Sequence, residues 1–209
     1  MTKSNKNIHP PGRIKIVAAF TTLLQARDFS AITTAEIART ARVTEGLIYK
    51  YFNSKRDLLF QVLAESFSLF INQTSIELEK TSGATLRLRT LVRCYLTAYD
   101  RDRVLARMLM LEARNSTDFF KSNAYNLIRS HNRQVIRIIA KGIKEGEIRA
   151  DISPAVVLRI IFGAIEHAML APILFGRSVD VHRMTDEICG IVFNGICGKK
   201  VQADVSGVD

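Results

Sequence analysis

The amino-acid sequence predicts an all-α protein of about nine helices. Apolar residues recur at three- and four-residue spacings almost throughout the 209 residues, which is the periodicity of amphipathic helices. Alternating runs of β-branched residues bounded by hairpin turns do not occur, so no strand is predicted. With 47% hydrophobic and 24% charged residues, the chain has enough apolar surface to bury a core in one or two compact units.

The first two helices are predicted from their end signals. The first follows Pro11-Gly12 and ends near Arg27-Asp28. The second begins at Thr33, because Thr33 and Glu36 match a capping box in which the hydroxyl accepts from the third amide and the glutamate reaches back. Ile37 lies on its predicted buried face.

The third and fourth helices follow directly. The third is short, starts at Thr44, which can cap it, and contains Gly46 to Phe52. The fourth opens at Ser54 with another cap pattern and continues well past Phe70. Two short helices joined by a turn of a few residues form a helix-turn-helix, and the third helix is the one expected to enter a DNA groove.

The middle of the chain continues in helices. The apolar rhythm restarts after Gly83, recurs through residues 104–113, and then predicts a longer helix from about Phe119 to Glu145. This helix is expected to stop at Gly146, a favourable left-handed residue after a helix.

Two further helices complete the prediction. One starts at Ser153-Pro154, is kinked or ended within a turn by Pro172, and is closed by Gly176. The last is capped by Asp180 and runs to about Cys197. The chain is therefore divided into a flexible basic arm (1–10), a helix-turn-helix domain (11–60), a ligand-binding and dimerisation domain (61–198) and a frayed tail (199–209).

The stretch from Ala155 to Phe175 is long and apolar enough to resemble a membrane span. Arg159, Glu166 and His167 lie within it, and each charge at the bilayer centre costs roughly 2.5 to 3.5 kcal/mol. A buried helix is therefore expected, with no membrane partner. His167 has no second histidine or cysteine at helical spacing, so a core or interface histidine is favoured over a metal ligand.

Charge and cysteine usage indicate the setting. The net charge is +10, and the first 60 residues hold 10 basic against 4 acidic residues, or +6; such an excess favours a polyanionic partner, either nucleic acid or an acidic membrane surface. Cys94, Cys189 and Cys197 show no metal-ligand spacing and no secretory signal accompanies them, so we expect small buried thiols in a reducing cytoplasm. No metal and no cofactor are expected.

Residues 33–59 resemble the DNA-binding signature of TetR-family repressors in residue type and in spacing. The resemblance implies a three-helix DNA-binding domain, joined through a fourth helix to a larger ligand-binding and dimerisation domain. It implies that Leu47 and Lys50 face base edges. The residues implied or inferred to contact DNA, mostly at phosphates, are Thr33, Thr34, Arg42, Thr44, Glu45, Gly46, Tyr49, Tyr51 and Lys55.

Two residues depart from the family pattern. Arg42 occupies a turn position where glycine is commonest, so a non-glycine residue in the left-handed conformation, or a locally different turn, is expected. Glu45 favours the helix dipole but repels phosphate, which suggests discrimination of a base. Phe52 is expected in the core, and Tyr51 and Lys55 on the surface.

Apolar stripes in the second half suggest a cavity for a small apolar effector, although an ordinary bundle core explains each residue singly. Arg114 is expected to pair with Glu166, in preference to a ligand carboxylate. The segment from Leu111 to Tyr125 also resembles, more loosely, TetR-type regulators of fatty-acid metabolism, which respond to acyl-coenzyme A. The candidate ligand residues are Met108, Leu111, Glu112, Arg114, Phe119, Tyr125, Phe162, Glu166 and Met169.

These features predict a repressor that a small apolar or amphipathic molecule releases from a palindromic operator. A homodimer through the last two helices is expected, because small residues such as Gly163 and Gly190 permit close packing and one helix-turn-helix reads few bases. Two alternatives remain open: a helical enzyme acting on an apolar substrate, for which no catalytic motif is found, and a constitutive nucleoid-like DNA binder without an effector.

Overall fold

The computed structural model describes residues 9–194, which form nine α-helices and no strand. The all-α prediction is confirmed. The helices are α1 (Pro11–Ala26), α2 (Thr34–Ala41), α3 (Glu45–Tyr51), α4 (Lys55–Glu79), α5 (Ala84–Arg101), α6 (Arg103–Arg107), α7 (Asn123–Lys144), α8 (Pro154–Phe175) and α9 (Val181–Asn194). Most of the predicted basic arm, the predicted tail and Cys197 lie outside the described residues.

The described residues divide into two compact units. The first contains residues 9–67 and 107–127, so it adds the segment after α6 to the helix-turn-helix. The second contains residues 68–106 and 128–194. Helices α4 and α7 each begin in the first unit and end in the second.

The core of the first unit is formed where α1, α2 and α3 pack together. The predicted cap of α2 is half confirmed: the Thr33 hydroxyl accepts from the Glu36 amide at 3.1 Å, whereas the Glu36 carboxylate binds Arg27 at 2.5 Å. Thr44 stands at the cap of α3 without a side-chain hydrogen bond. The fully buried side chains here include Ile16, Phe20, Leu24, Ile37, Ile48 and Phe52.

In the second unit, α5 packs against α8 and α9. Glu147, in the turn after α7, accepts from the Thr85 amide at 3.1 Å, and hydrogen bonds from the Thr85 and Ala84 amides lower the pKa of this carboxyl group. A Cβ at Gly142 would lie 2.4 Å from Ala84 Cβ, so only glycine permits this approach of α7 to α5. The predicted left-handed Gly146 is confirmed at φ +77°.

Two helix boundaries follow the prediction and one does not. Helix α8 continues only three residues past Pro172 and is closed by Gly176 at φ +65°, and Asp180 accepts from the Arg183 amide at 3.0 Å at the start of α9. The predicted start of the long helix near Phe119 is wrong, because residues 117–121 form a 3-10 turn and α7 begins at Asn123.

Helix α8 is the described helix that has the length and hydropathy of a membrane span. Its expected burial is observed on one face only: Ile161, Ile165 and Met169 are buried, whereas Ile160 is 53% exposed. His167, expected in a core or interface, is exposed in the single chain. Of the two described cysteines, Cys189 is buried and Cys94 is half-buried.

Candidate DNA-binding and effector-binding sites

The turn between α2 and α3 is closed by the backbone. Arg42 adopts the left-handed conformation, at φ 55° and ψ 49°, and its amide bonds to the carbonyls at the end of α2. The Val43 amide donates to the Ala38 carbonyl at 3.0 Å. The left-handed Arg42 expected from the sequence is therefore confirmed, and its exposed side chain follows α2 directly.

One face of α3 projects outward. Glu45, Gly46 and Lys50 are exposed, and Tyr49 is 54% exposed. A Cβ at Gly46 would meet no atom within 4 Å, so backbone here is open to close approach. The exposed end of a short helix is the geometry that enters a major groove.

Thr34, the first residue of α2, connects to this face. Its hydroxyl donates to the Glu45 carboxylate and lies 3.3 Å from the Tyr49 hydroxyl. These contacts fix the N-terminal end of α3 against the start of α2. Glu45 is thereby held at the exposed surface.

Two predicted DNA contacts are less exposed than expected. Leu47 and Tyr51 are half-buried and lie against α1: a Cβ at Gly12 would be 2.9 Å from Leu47 Cδ2 and 3.6 Å from a Tyr51 ring carbon. The surface position expected for Tyr51 is thus wrong for most of its ring, which contacts Phe52 edge-on at 6.4 Å. Phe52 is 1% exposed, so its predicted core position is confirmed.

Lys55 is also half-buried, contrary to its expected surface position. Its Nζ donates to the carbonyl of Phe29 at 2.7 Å and of Ile32 at 2.5 Å, and lies 4.4 Å from the centroid of the Phe29 ring. Burial and the neighbouring charge of Arg56 lower the pKa of Lys55, while Glu112 raises it. The ammonium group therefore fastens the connection between α1 and α2 to the start of α4.

Several candidate effector residues belong to the first unit. Met108 begins a π-helical turn (Met108–Glu112) and is buried, Leu111 and Glu112 are half-buried, and Arg114 is exposed. Phe119 is 1% exposed. An irregular backbone of this kind is frequent at functional sites in helical proteins.

Phe119 is the centre of an aromatic cluster. Its ring centroid lies 5.5 Å from that of Phe60, 5.7 Å from that of Phe120 and 5.7 Å from that of Tyr125. Phe60 was not among the predicted site residues. The Phe119-Phe120 pair was visible in the sequence, but nothing local connected it to Phe60.

Another unpredicted residue, Arg107, connects the two parts of the first unit. Its guanidinium donates to the Leu24 carbonyl, near the end of α1, at 3.4 Å. Arg107 directly precedes the π-helical turn that begins at Met108. A shift in that turn would therefore displace the contact between Arg107 and α1, and α1 packs on α2 and α3.

The remaining candidate effector residues belong to the second unit. Phe162, Glu166 and Met169 lie along α8, and Met169 is buried. The Phe162 ring lies 4.8 Å from that of Tyr95, an unpredicted residue of α5. The Tyr95 ring also contacts those of Phe70 (4.5 Å), Tyr99 (5.9 Å) and His131 (5.9 Å).

In the ring cluster around Tyr95, both Tyr95 and His131 are buried, and this burial disfavours their charged forms. Burial raises the pKa of Tyr95, and Tyr99 and Glu166 raise it further. Burial lowers the pKa of His131 from 6.5 to about 4. Both side chains are thus neutral at pH 7. Among residues 9–194, no group of three or more potential metal ligands is found.

Two family models match adjoining parts of the chain. The model of bacterial regulatory proteins of the tetR family matches residues 16–62. The model of the C-terminal region of YsiA-like proteins matches residues 63–195, which is more than half of the chain.

Similar proteins include bacterial regulators. The fatty acid metabolism regulator protein of Bacillus subtilis is 22% identical over 189 residues, covering 90% of this chain and 97% of that protein. The nucleoid occlusion factor SlmA of Marinobacter nauticus is 28% identical over 149 residues, covering 71% and 74%.

Solved structures share the fold. FadR from Bacillus subtilis in complex with stearoyl-CoA superposes with a TM-score of 0.79 at 20% identity, over 88% of this chain and 99% of that one. The fatty acid degradation regulator FadR from Bacillus halodurans gives a TM-score of 0.79 at 18% identity, over 90% and 97%.

Proposed function

Because the chain belongs to the TetR family of bacterial transcriptional regulators, we propose that it is a repressor that binds a palindromic operator and leaves it when a small amphipathic effector binds. The observation that carries the proposal is the exposed face of α3, with Lys50 at its centre. The family is one of regulators, not of enzymes. The protein is proposed to act in the cytoplasm.

The proposed DNA contacts divide into two kinds. Lys50 reads a base edge, because a lysine on the outward face of a recognition helix reaches the guanine acceptors of the major groove. Arg42 and the residues at the two helix starts bind phosphates. The phosphate-binding set is Thr33, Thr34, Arg42, Thr44, Gly46, Tyr49 and Tyr51; Glu45 adds base discrimination, and Leu47 supports α3 from its α1 side.

Lys55 keeps a place in the proposed interface, but as a positioning residue. Its donors are directed to the carbonyls of Phe29 and Ile32, which supports a role in holding the start of α2. Phosphate contact by Lys55 would require it to give up these bonds.

The effector is proposed to be an acyl chain with a polar head, such as a long-chain acyl-coenzyme A. The buried Met108 and Phe119 of the first unit support an apolar ligand. The regulator from Bacillus subtilis with a similar fold is described in complex with stearoyl-CoA. The proposed ligand residues are Met108, Leu111, Glu112, Arg114, Phe119, Tyr125, Phe162, Glu166 and Met169.

Release of DNA is proposed to pass through Arg107. Effector binding beside Met108 would rearrange the π-helical turn, and Arg107 would carry that change to the Leu24 carbonyl at the end of α1. Since α1 packs on α2 and α3, the position of the recognition helix depends on this contact.

A homodimer through α8 and α9 is proposed from their uncovered faces. Ile160 and Ile191 are 53% and 58% exposed, and a Cβ at Gly163 or Gly190 would meet no atom within 4 Å. An apolar face with open glycines on two helices suits a four-helix interface with a second copy. The dimer would present two recognition helices to a two-fold operator.

The test is a mobility-shift titration with DNA from upstream of the protein's own gene. A sequence-preferring complex that dissociates with palmitoyl-coenzyme A, but not with coenzyme A alone, supports the proposal. Absence of any sequence-preferring complex contradicts it. A complex that forms but resists every acyl-coenzyme A indicates constitutive binding, and so contradicts the effector part.

A further inference from the structure

A buried arginine in the first turn of α1 has no part in the proposed DNA contacts. Arg13 is 9% exposed, and among residues 9–194 it is the one arginine, lysine, aspartate or glutamate that is buried. Burying a charge is costly unless charged and hydrogen-bonding partners surround it. The partners of Arg13 therefore indicate what its position serves.

Two side chains of α4 bind the Arg13 guanidinium. Its Nη2 donates to the side-chain carbonyl of Gln61 at 3.1 Å and forms an ion pair with the Glu65 carboxylate. Gln61 and Glu65 are four residues apart, so they lie on the same face of α4. The planar guanidinium holds both acceptors in one fixed geometry, whereas a lysine ammonium is a point charge on a flexible stem. Arg13 therefore fastens the start of α1 to α4.

Gln61 continues this contact toward the end of α3. Because arginine can only donate hydrogen bonds, it fixes the Gln61 oxygen toward itself and leaves the Gln61 Nε2 to donate elsewhere. That Nε2 donates to Asp57 Oδ2 at 3.2 Å, and the same oxygen accepts from the Asn53 amide at 2.8 Å. Asn53 is the second residue after α3. A chain of hydrogen bonds thus connects Arg13 to the backbone that follows the recognition helix.

The start of α1 also contacts α3 directly. The Arg13 Cζ lies 5.3 Å from the centroid of the Phe52 ring, and Phe52, which follows the last residue of α3, is 1% exposed. One residue before Arg13, a Cβ at Gly12 would lie 2.9 Å from Leu47 Cδ2. Helix α3 has seven residues, and so short a helix is not stable by itself. Tertiary contacts of this kind therefore set its direction.

We propose that Arg13 is a positioning residue for operator binding. It holds the C-terminal end of α3 through the Phe52 ring and the hydrogen bonds of Gln61, while the contacts of Thr34 hold the N-terminal end. The exposed face with Lys50 thereby keeps one orientation toward a major groove, without any contact between Arg13 and DNA. This inference rests on the proposed function and adds to it a residue that lies behind the DNA-binding face.

The experiment compares DNA from upstream of the protein's own gene with unrelated DNA of the same length, in mobility-shift titrations of the full-length protein. Gln61→Leu keeps the net charge and the ion pair of Arg13 with Glu65, but removes the hydrogen bond to Asp57. It is expected to weaken operator binding about tenfold, which is the effect of a disturbed base contact. Binding to unrelated DNA is expected to stay unchanged, because it depends on charge.

Two further variants separate positioning from charge. Arg13→Lys keeps the charge and is expected to show the same loss as Gln61→Leu, because an ammonium group does not replace the planar fork. Lys15→Met removes a charge from the exposed side of α1 and is expected to leave the ratio of the two affinities unchanged. Wild-type operator affinity in Arg13→Lys, or a fall of the ratio in Lys15→Met as large as in Gln61→Leu, would overturn the proposal.

Hydrogen exchange without DNA keeps failure of this proposal distinguishable from failure of the proposed function. In Gln61→Leu and Arg13→Lys, the amides of residues 45–53 are expected to exchange about tenfold faster, while those of residues 16–24 in α1 exchange as in the wild type. Unchanged exchange in residues 45–53, or equal acceleration in α1, would overturn the proposal, since the latter reports only lower global stability. Absence of operator preference in the wild type would contradict the proposed function instead, and the exchange result would still decide whether Arg13 positions α3.

Discussion

Lys55 provides the sharpest test of the DNA-binding unit, because the sequence and the structure assign it different partners. By family resemblance it binds a phosphate; in the structure its Nζ donates to the carbonyls of Phe29 and Ile32 at 2.7 and 2.5 Å. We consider Lys55→Met, which keeps most of the aliphatic stem and removes the ammonium group.

The expected loss of stability follows from these contacts. Two hydrogen bonds from a charged donor contribute roughly 3 kcal/mol at the lower end of the usual range, and the Phe29 ring under the ammonium adds about 0.5 kcal/mol. Methionine loses about as much side-chain freedom on ordering as lysine, so this cost cancels. Lys55→Met should therefore lower the free energy of unfolding by roughly 3 kcal/mol, measured by urea denaturation with an unchanged m-value.

The DNA measurement distinguishes the two roles. A lost phosphate contact reduces the slope of log K against log salt concentration by about 0.9 per protomer. For Lys55→Met we expect the wild-type slope, because the ammonium group is already bound to the protein. Unchanged stability together with a slope reduced by about 0.9 would show that Lys55 binds a phosphate and does not hold the α1–α2 connection.

Three further predictions concern other parts of the chain. Arg42→Gly removes a side chain from a left-handed position (φ 55°) and should stabilise the protein by about 1 kcal/mol in urea denaturation. It should also reduce the slope of log K for DNA binding against log salt concentration by about 0.9 per protomer. Stabilisation with an unchanged slope would exclude a phosphate contact. His131, whose pKa falls from 6.5 to about 4 in the folded state, stays neutral while the unfolded chain takes up a proton, so its contribution is complete above pH 6.5 and is lost as the pH falls toward 4. The free energy of unfolding of the wild type should therefore drop by up to roughly 3 kcal/mol more than that of His131→Phe across this window, and parallel pH profiles would contradict the assignment. Ile191→Glu places a charge on a 58% exposed apolar position of α9 and should convert a dimer into a folded monomer in analytical ultracentrifugation at micromolar concentration, with loss of operator binding; a dimer that persists would exclude this face as the interface.

The sequence predicted those features of the fold that depend on residues close together along the chain. The cap at Thr33, the left-handed positions at Arg42 and Gly146, and the stop after Pro172 each depend on residues within a few positions of one another. Local backbone preference was sufficient there, because neighbouring residues decide whether an orphan amide or carbonyl is satisfied.

The sequence did not predict side-chain partners that are distant along the chain. From the sequence, Lys55 is expected to be a surface cation, whereas its partners are carbonyls of the connection between α1 and α2. The half-burial of Leu47 depends on Gly12, which belongs to another helix. Likewise, the Tyr95 cluster joins residues of four helices. Contacts of this kind are set by tertiary packing, which no local pattern encodes.

The direct test of the account is selection of binding sequences from a random DNA pool, run in parallel with the wild type and Lys50→Ala. If the outward face of α3 reads DNA, the wild type selects a two-fold symmetric sequence, and Lys50→Ala selects sequences with a changed base at one symmetric pair of positions. Selection of the same sequence by both proteins, or of no sequence by the wild type, would contradict the account.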